Sequence, residues 1–192
     1  MIKNFFNSDK MSYLRRLREN DPELTTLDIS GDDLGSEGAR YLADALRVNS
    51  TLTTLYITGN NLGPEGARYL ADALRVNNTL TTLDISYNEL RSEGAQYLVD
   101  ALRVNNTLTT LDISLTNSGP EEETQLKYLI ECNIIYQQLD KMGDIVTKNK
   151  ILRESINSLF LSLSLEGTSL LPSELRYEIA KHFIIELKLR NP

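Results

Sequence analysis

The sequence predicts an α/β solenoid. Strand–helix units wind right-handed, a parallel sheet lines the concave side, and a helical cap closes the C-terminal end. Two observations predict it. Leu24-Thr25-Thr26-Leu27 recurs as Leu52-Thr53-Thr54-Leu55, Leu80-Thr81-Thr82-Leu83 and Leu108-Thr109-Thr110-Leu111, each time 28 residues on. A fixed period of roughly 20–29 residues with recurring leucines marks a stacked array. The apolar spacing also changes inside each unit. Leu83 and Ile85 are two apart and share one face of a strand, whereas Ala95, Leu98, Val99 and Leu102 are three and four apart and share one face of a helix. Neither element can bury its apolar side alone, so the two must pack together. The helix also supplies the crossover that a parallel strand pair needs.

The elements follow in order. Tyr13-Leu14 keeps register with Tyr41-Leu42, so residues 9–20 read as a worn repeat helix within a capping segment, 1–23. Residues 24–135 hold four repeats. Gly35, Gly63 and Gly119 precede Ser36, Pro64 and Pro120, which predicts helices beginning at the later residue and capped at the glycine. Glu37, Glu65, Glu93 and Glu121 place negative charge at the helix N-termini. Gly38, Gly66 and Gly94 predict close approach between neighbouring turns. The fourth repeat departs from the pattern. Ser118 replaces the leucine of Leu34, Leu62 and Leu90, and Glu122 replaces the second glycine, while Leu126, Ile130 and Asn133 hold register with Leu98, Leu102 and Asn105.

Residues 136–192 carry no repeat. Ile145, Leu152, Ile156, Leu159, Phe160 and Leu163 predict a long helix, and Pro172 opens a second one with Leu175, Ile179, Phe183 and Leu187 on one stripe. Such a segment is marginal for an independent core, so docking on the last repeat is expected.

The pattern Leu80-x-x-Leu83-x-Ile85-x-x-Asn88-x-Leu90, with Asn60 at the matching place and the long helix, resembles ribonuclease-inhibitor-type leucine-rich repeats. Such repeats also occur in NOD-like receptors and tropomodulin-like proteins. The resemblance covers 24–135. It implies an asparagine ladder bonded to backbone in the turn after each strand, with looser turns where Asp32 and Thr116 replace asparagine. It also implies a binding scaffold without catalysis. Separately, Leu171-Pro172-Ser173-Glu174-Leu175 with Ile179 resembles the opening of an F-box, which implies contact with a Skp-type adaptor of ubiquitin ligases. A proline-started capping helix accounts for the same residues.

A net charge of −7 disfavours nucleic acid and anionic membranes. The one tight basic cluster, Arg15, Arg16 and Arg18, reads as the solvated face of the cap helix. No apolar run reaches the roughly 20 residues of a membrane helix. Met1–Lys10 turns polar too early for a secretory signal, and Cys132 is the single cysteine, so a cytoplasmic location is expected. Delivery into a host cell leaves no readable mark. No phosphate loop, dinucleotide motif or metal-ligand spacing occurs, so no cofactor and no metal is expected. Cys132 falls where Val104 sits in the preceding repeat and reads as packing, and His182 has no cluster around it.

Strand residues between the core leucines point away from the helices. The centre of the strand reads Asp28, Tyr56, Asp84, Asp112 against nearly fixed threonines and serines, and Tyr87 and Leu115 extend the rows where Gly31 and Gly59 stand earlier. These six side chains are the candidate partner-binding set. Tyrosine supplies contact area at low entropic cost and aspartate supplies charge. A protein partner with a basic, partly apolar surface is expected, bound by a monomer. Four strands span only about 15 Å, so a partner must also reach the loops around Tyr87 and Leu115 or the C-terminal helices. A rival reading makes the chain a ubiquitination adaptor through Leu171, Pro172, Leu175 and Ile179. An enzyme comes third.

Overall fold

The computed structural model describes the backbone of residues 8–141 and the side-chain surroundings of 12–137. The expected C-terminal helices, the F-box-like residues Leu171, Pro172, Leu175 and Ile179, and His182 lie outside these residues. The chain divides into two compact units, residues 1–130 and 131–192. In chain order the elements are α1 (Ser8–Arg18), β1 (Thr26–Asp28), α2 (Gly35–Leu46), β2 (Thr54–Tyr56), α3 (Gly63–Leu74), β3 (Thr82–Asp84), α4 (Arg91–Leu102), β4 (Thr110–Asp112) and α5 (Pro120–Lys141).

The strands form one parallel sheet in the order β1-β2-β3-β4. The register steps by one repeat, so Leu27, Leu55, Leu83 and Leu111 lie side by side. The core is the predicted one. Leu55, Ile57, Leu83 and Ile85 meet Leu70, Leu74, Leu98 and Leu102, all within 2 % of full burial. α1 lies over most of residues 9–20, where the Tyr13-Leu14 register predicts a helix, and it buries Leu14 and Leu17. Its arginines sit in the last turn, where positive charge suits the helix dipole, and Arg16 pairs with Asp21 at 2.6 Å. Burial, with the Asp32 carboxylate adding to it, pushes the Tyr13 phenol above its ordinary value.

The glycines at 66 and 94 mark close helix approach. A Cβ on Gly94 would stand 3.0 Å from Leu90 Cβ and 3.1 Å from Ala67 Cβ and Pro64 Cα, the last two belonging to the neighbouring helix. Gly38 differs: its tight contact is its own Leu34 Cβ, at 2.7 Å. Gly94→Ala is expected to destabilise the fold by about 1–3 kcal/mol through overpacking. Urea titration checks this, and an unchanged midpoint would show the helices able to part freely.

Two details differ from expectation. Helices α2 and α3 begin at Gly35 and Gly63, one residue before the expected start, and no side chain caps them. The physical cap comes from the next repeat: Gly35 N–H donates to Asn60 O and Gly63 N–H to Asn88 O. Val104, the counterpart of Cys132, does not pack. Val48, Val76 and Val104 are 58 %, 59 % and 52 % exposed, because they follow the ends of α2, α3 and α4. Cys132 lies inside the longer α5 and is buried.

Candidate binding surface

The turns that present the sheet face are held by a polar ladder. Asn88 is fully buried, and its Nδ2 donates to the carbonyls of Ile57, Ile85 and Ser86 at 2.8–3.0 Å. Its Oδ1 accepts from Asn60 N–H at 2.8 Å and Leu62 N–H at 3.3 Å. Asn60 repeats the arrangement one turn earlier, toward Ile29, Ile57 and Leu34. At the last turn Thr116 is also buried, but its hydroxyl reaches only Ile113 O and Ser118 Oγ. That turn is tied more weakly, as its sequence implies.

A second ladder escaped the sequence reading. Asn49, Asn77 and Asn105 are buried in the helix-to-strand turns. Asn77 Nδ2 bonds Leu46 O and Asn49 O, while its Oδ1 accepts from Thr79 and Leu80 N–H. Asn105 does the same one repeat later. The signal was present as Arg-Val-Asn at 47–49, 75–77 and 103–105.

Between the ladders, the candidate residues fall into two rows. Asp28, Tyr56, Asp84 and Asp112 are strand neighbours in register. Asp28, Tyr56 and Asp112 are exposed and Asp84 is half-buried. Each aspartate accepts the N–H of the serine two residues on: Ser30, Ser86 and Ser114, at 2.8–3.0 Å. Hydrogen bonds from Ser30 hold the Asp28 carboxyl below its ordinary value, so it is charged at neutral pH.

Tyr87 and Leu115 form the second row, 58 % and 63 % exposed. Their φ angles are 55° and 56°, matching the 70° and 65° of Gly31 and Gly59 at the same place in the first two repeats. A side chain in this left-handed region carries a backbone cost that glycine avoids. The structure holds two large apolar side chains in solvent at a strained position.

The charges on the helix side behave differently. Glu37–Arg40 and Glu65–Arg68 are paired within α2 and α3, and Asp72–Arg75 and Asp100–Arg103 pair the last turns of α3 and α4 with their C-caps. Arg40 and Arg68 also lie over the Tyr41 and Tyr69 rings. Among the described residues no cation pairs with Asp28, Asp84 or Asp112. The strand-row carboxylates therefore stay unneutralised, while these four helix-side pairs neutralise one another.

Beside β4 lies an open pocket of about 410 Å³, lined by Leu111, Ile113 and Leu115 on one side and Leu126 and Ile130 on the other, with Asp112, Glu123 and Lys127 at its margin. Among the described residues no cluster of three or more potential metal ligands occurs, and no helix is long and apolar enough to cross a membrane.

Comparison with known proteins agrees with this architecture. The leucine-rich-repeat family model matches residues 21–43, 48–71 and 76–99. No curated protein sequence matches the chain. Among solved structures, actin-binding site 2 of leiomodin-1 shares 26 % identity over 66 % of this chain and 75 % of its own, with a TM-score of 0.58. The tropomodulin C-terminal domain from Caenorhabditis elegans shares 17 % identity over 71 % of this chain and all of its own, with a TM-score of 0.48. Repeat match, sheet register and structural likeness converge: the chain is an α/β solenoid built on leucine-rich repeats.

Proposed function

We propose that the chain is a non-catalytic scaffold of the ribonuclease-inhibitor type. An array over residues 24–135, flanked by segments 1–23 and 136–192, holds a basic, partly apolar protein surface on its concave sheet face. It works as a monomer in the cytoplasm and needs no cofactor or metal. One observation carries the reading. The carboxylates of the strand row lack cationic partners among the described residues, whereas Glu37, Glu65, Asp72 and Asp100 on the helix side each have an arginine partner. An unneutralised row of one sign suits a partner of the other sign and speeds its encounter. The leucine-rich repeats, and the likeness to an actin-binding site, support a protein-binding role.

The test is the double variant Asp28→Asn, Asp112→Asn. Asparagine keeps the oxygen that accepts the serine N–H, so the turns should form, with the melting temperature falling slightly as the charge-assisted bond from Ser30 becomes a neutral one. With the partner captured by proximity labelling of the wild type, the association rate is expected to fall about tenfold at low salt, and its salt dependence to flatten. An unaltered salt dependence would remove the acidic face from the contact.

A second reading is favoured by the likeness to leiomodin-1: actin is the partner. Co-sedimentation of the full chain with filamentous actin, and binding to monomeric actin, test it directly. The adaptor reading rests on Leu171, Pro172, Leu175 and Ile179. Capture of a Skp-type adaptor by wild type and not by Leu175→Arg would support it, and no capture by either would end it.

A further inference from the structure

Among the described residues the sheet ends at β4 with its bonding pattern open. Each of the first three strand segments gives two backbone N–H groups to the next one. Ile29 and Gly31 donate to Tyr56 O and Thr58 O, Ile57 and Gly59 to Asp84 O and Ser86 O, and Ile85 and Tyr87 to Asp112 O and Ser114 O. The matching donors on the last strand are Ile113 and Leu115, and neither has an acceptor among the described residues. In the other direction, the carbonyls of Thr25, Thr53 and Thr81 each receive two N–H groups from the following strand. Thr109 O is the acceptor that comes next in that series. The molecule thus shows three times over what kind of segment this edge accepts: an extended strand, parallel, in the same register.

The side-chain environment agrees. Leu27, Ile29, Leu55, Ile57, Leu83 and Ile85 are at most 7 % exposed, but Leu111 and Ile113 are only half-buried. They border the pocket of about 410 Å³ whose far wall is Leu126 and Ile130 of α5. That volume falls within the range of specific ligand sites, roughly 300–1,000 Å³. Side chains on a strand alternate between faces. A strand laid along β4 would send every second side chain into this pocket and the ones between to the open sheet face, beside exposed Asp112. The charge there is acidic. Asp112 and Glu123 outnumber Lys127 among the lining residues, and Glu121 and Glu122 stand next to Glu123 in the first turn of α5.

We infer that the free edge of β4 is a docking site for an extended segment of a partner protein. The segment adds as a fifth parallel strand, buries alternate apolar residues in the pocket, and turns lysine or arginine toward Asp112. Strand addition of this kind draws affinity from the main chain and specificity from alternate side chains. The choice of basic residues rests on the acidic-face reading proposed above. The backbone edge and the apolar pocket do not.

The experiment measures binding of a short fluorescent peptide alternating leucine and lysine to the full chain by anisotropy. Three comparisons accompany it: the same peptide N-methylated at alternate amides, a leucine–glutamate peptide, and the chain variant Ile113→Glu. Hydrogen exchange at the Ile113 and Leu115 amides is followed with and without peptide, which keeps the test independent of any folding defect in the variant. The expected result is saturable binding that protects both amides and weakens about tenfold or more with N-methylation, with glutamate and with Ile113→Glu. Equal binding of the glutamate peptide, still blocked by N-methylation, keeps the strand site and overturns the acidic-face reading. Binding indifferent to N-methylation and to Ile113→Glu overturns the strand site. So does slow exchange of both amides in the chain alone, since the edge would then be occupied already. A concentration dependence of that protection separates a second copy from the chain's own residues.

Discussion

Replacing Asn88 with alanine is expected to destabilise the fold by about 3–5 kcal/mol, measured by urea or thermal unfolding. The reason is what the side chain leaves behind. Asn88 Oδ1 accepts the N–H groups of Asn60 and Leu62, both in buried backbone one repeat earlier. Each such N–H, stripped of its acceptor and out of reach of water, costs about 1–3 kcal/mol. The three carbonyls served by Nδ2 lose a donor as well. The loss falls in the middle of the array, where each repeat is held by its neighbours, so it uncouples the second repeat from the third. Against a total stability of about 5–15 kcal/mol, that is a large share. Thr116→Ala supplies the contrast. Its hydroxyl reaches one carbonyl and one serine, so about 1 kcal/mol is expected. If Asn88→Ala unfolds within about 1 kcal/mol of wild type, the ladder is decoration and the core leucines alone hold the turns.

The ladder also shows how far the sequence could be read. Periodicity settles the elements because the physics is local. A two-residue apolar step can serve only a strand, and a step of three and four only a helix. The 28-residue copy then fixes register, so Leu27, Leu55, Leu83 and Leu111 had to align. Turn chemistry was less legible. Asn49, Asn77 and Asn105 repeat as faithfully as the leucines, yet a polar residue in a turn gives no sign of whether it faces solvent or backbone. The helix starts were misplaced by one residue for a related reason: the cap of α2 and α3 is a carbonyl in the next repeat, which no local motif encodes. Val104 misled because composition suggests burial, while its position just past the end of α4 decides exposure. In the candidate surface, the strand row was readable from alternation. The left-handed backbone of Tyr87 and Leu115 was hinted at only by the glycines in the first two repeats. The open edge of β4 was not readable, since the fourth strand has the same sequence pattern as the three that are covered.

Tyr87→Gly is expected to separate binding from folding. At φ 55° a tyrosine bears a left-handed backbone cost of about 1–2 kcal/mol, which glycine does not. Glycine loses about 0.5–1 kcal/mol through the greater freedom of its unfolded chain. The ring is more than half exposed, so little burial is forfeited. The two backbone effects nearly cancel, and the melting temperature should hold or rise slightly. Affinity should move the other way. A tyrosine that anchors an interface costs about 2 kcal/mol or more on removal, which is roughly 30-fold in Kd. Adding Tyr56→Ala, on the neighbouring strand of the same face, should bring the loss to about 100-fold, short of additive because both rings face one partner. Val76→Ala is the control. Val76 is 59 % exposed at the end of α3, away from the strand rows, and its loss should leave affinity unchanged. A Tyr87→Gly chain with unaltered stability and unaltered affinity would mean that the strained tyrosine does not touch the partner. Binding would then have to run through the helices or the edge of β4, and the sheet face would be only a solvated surface.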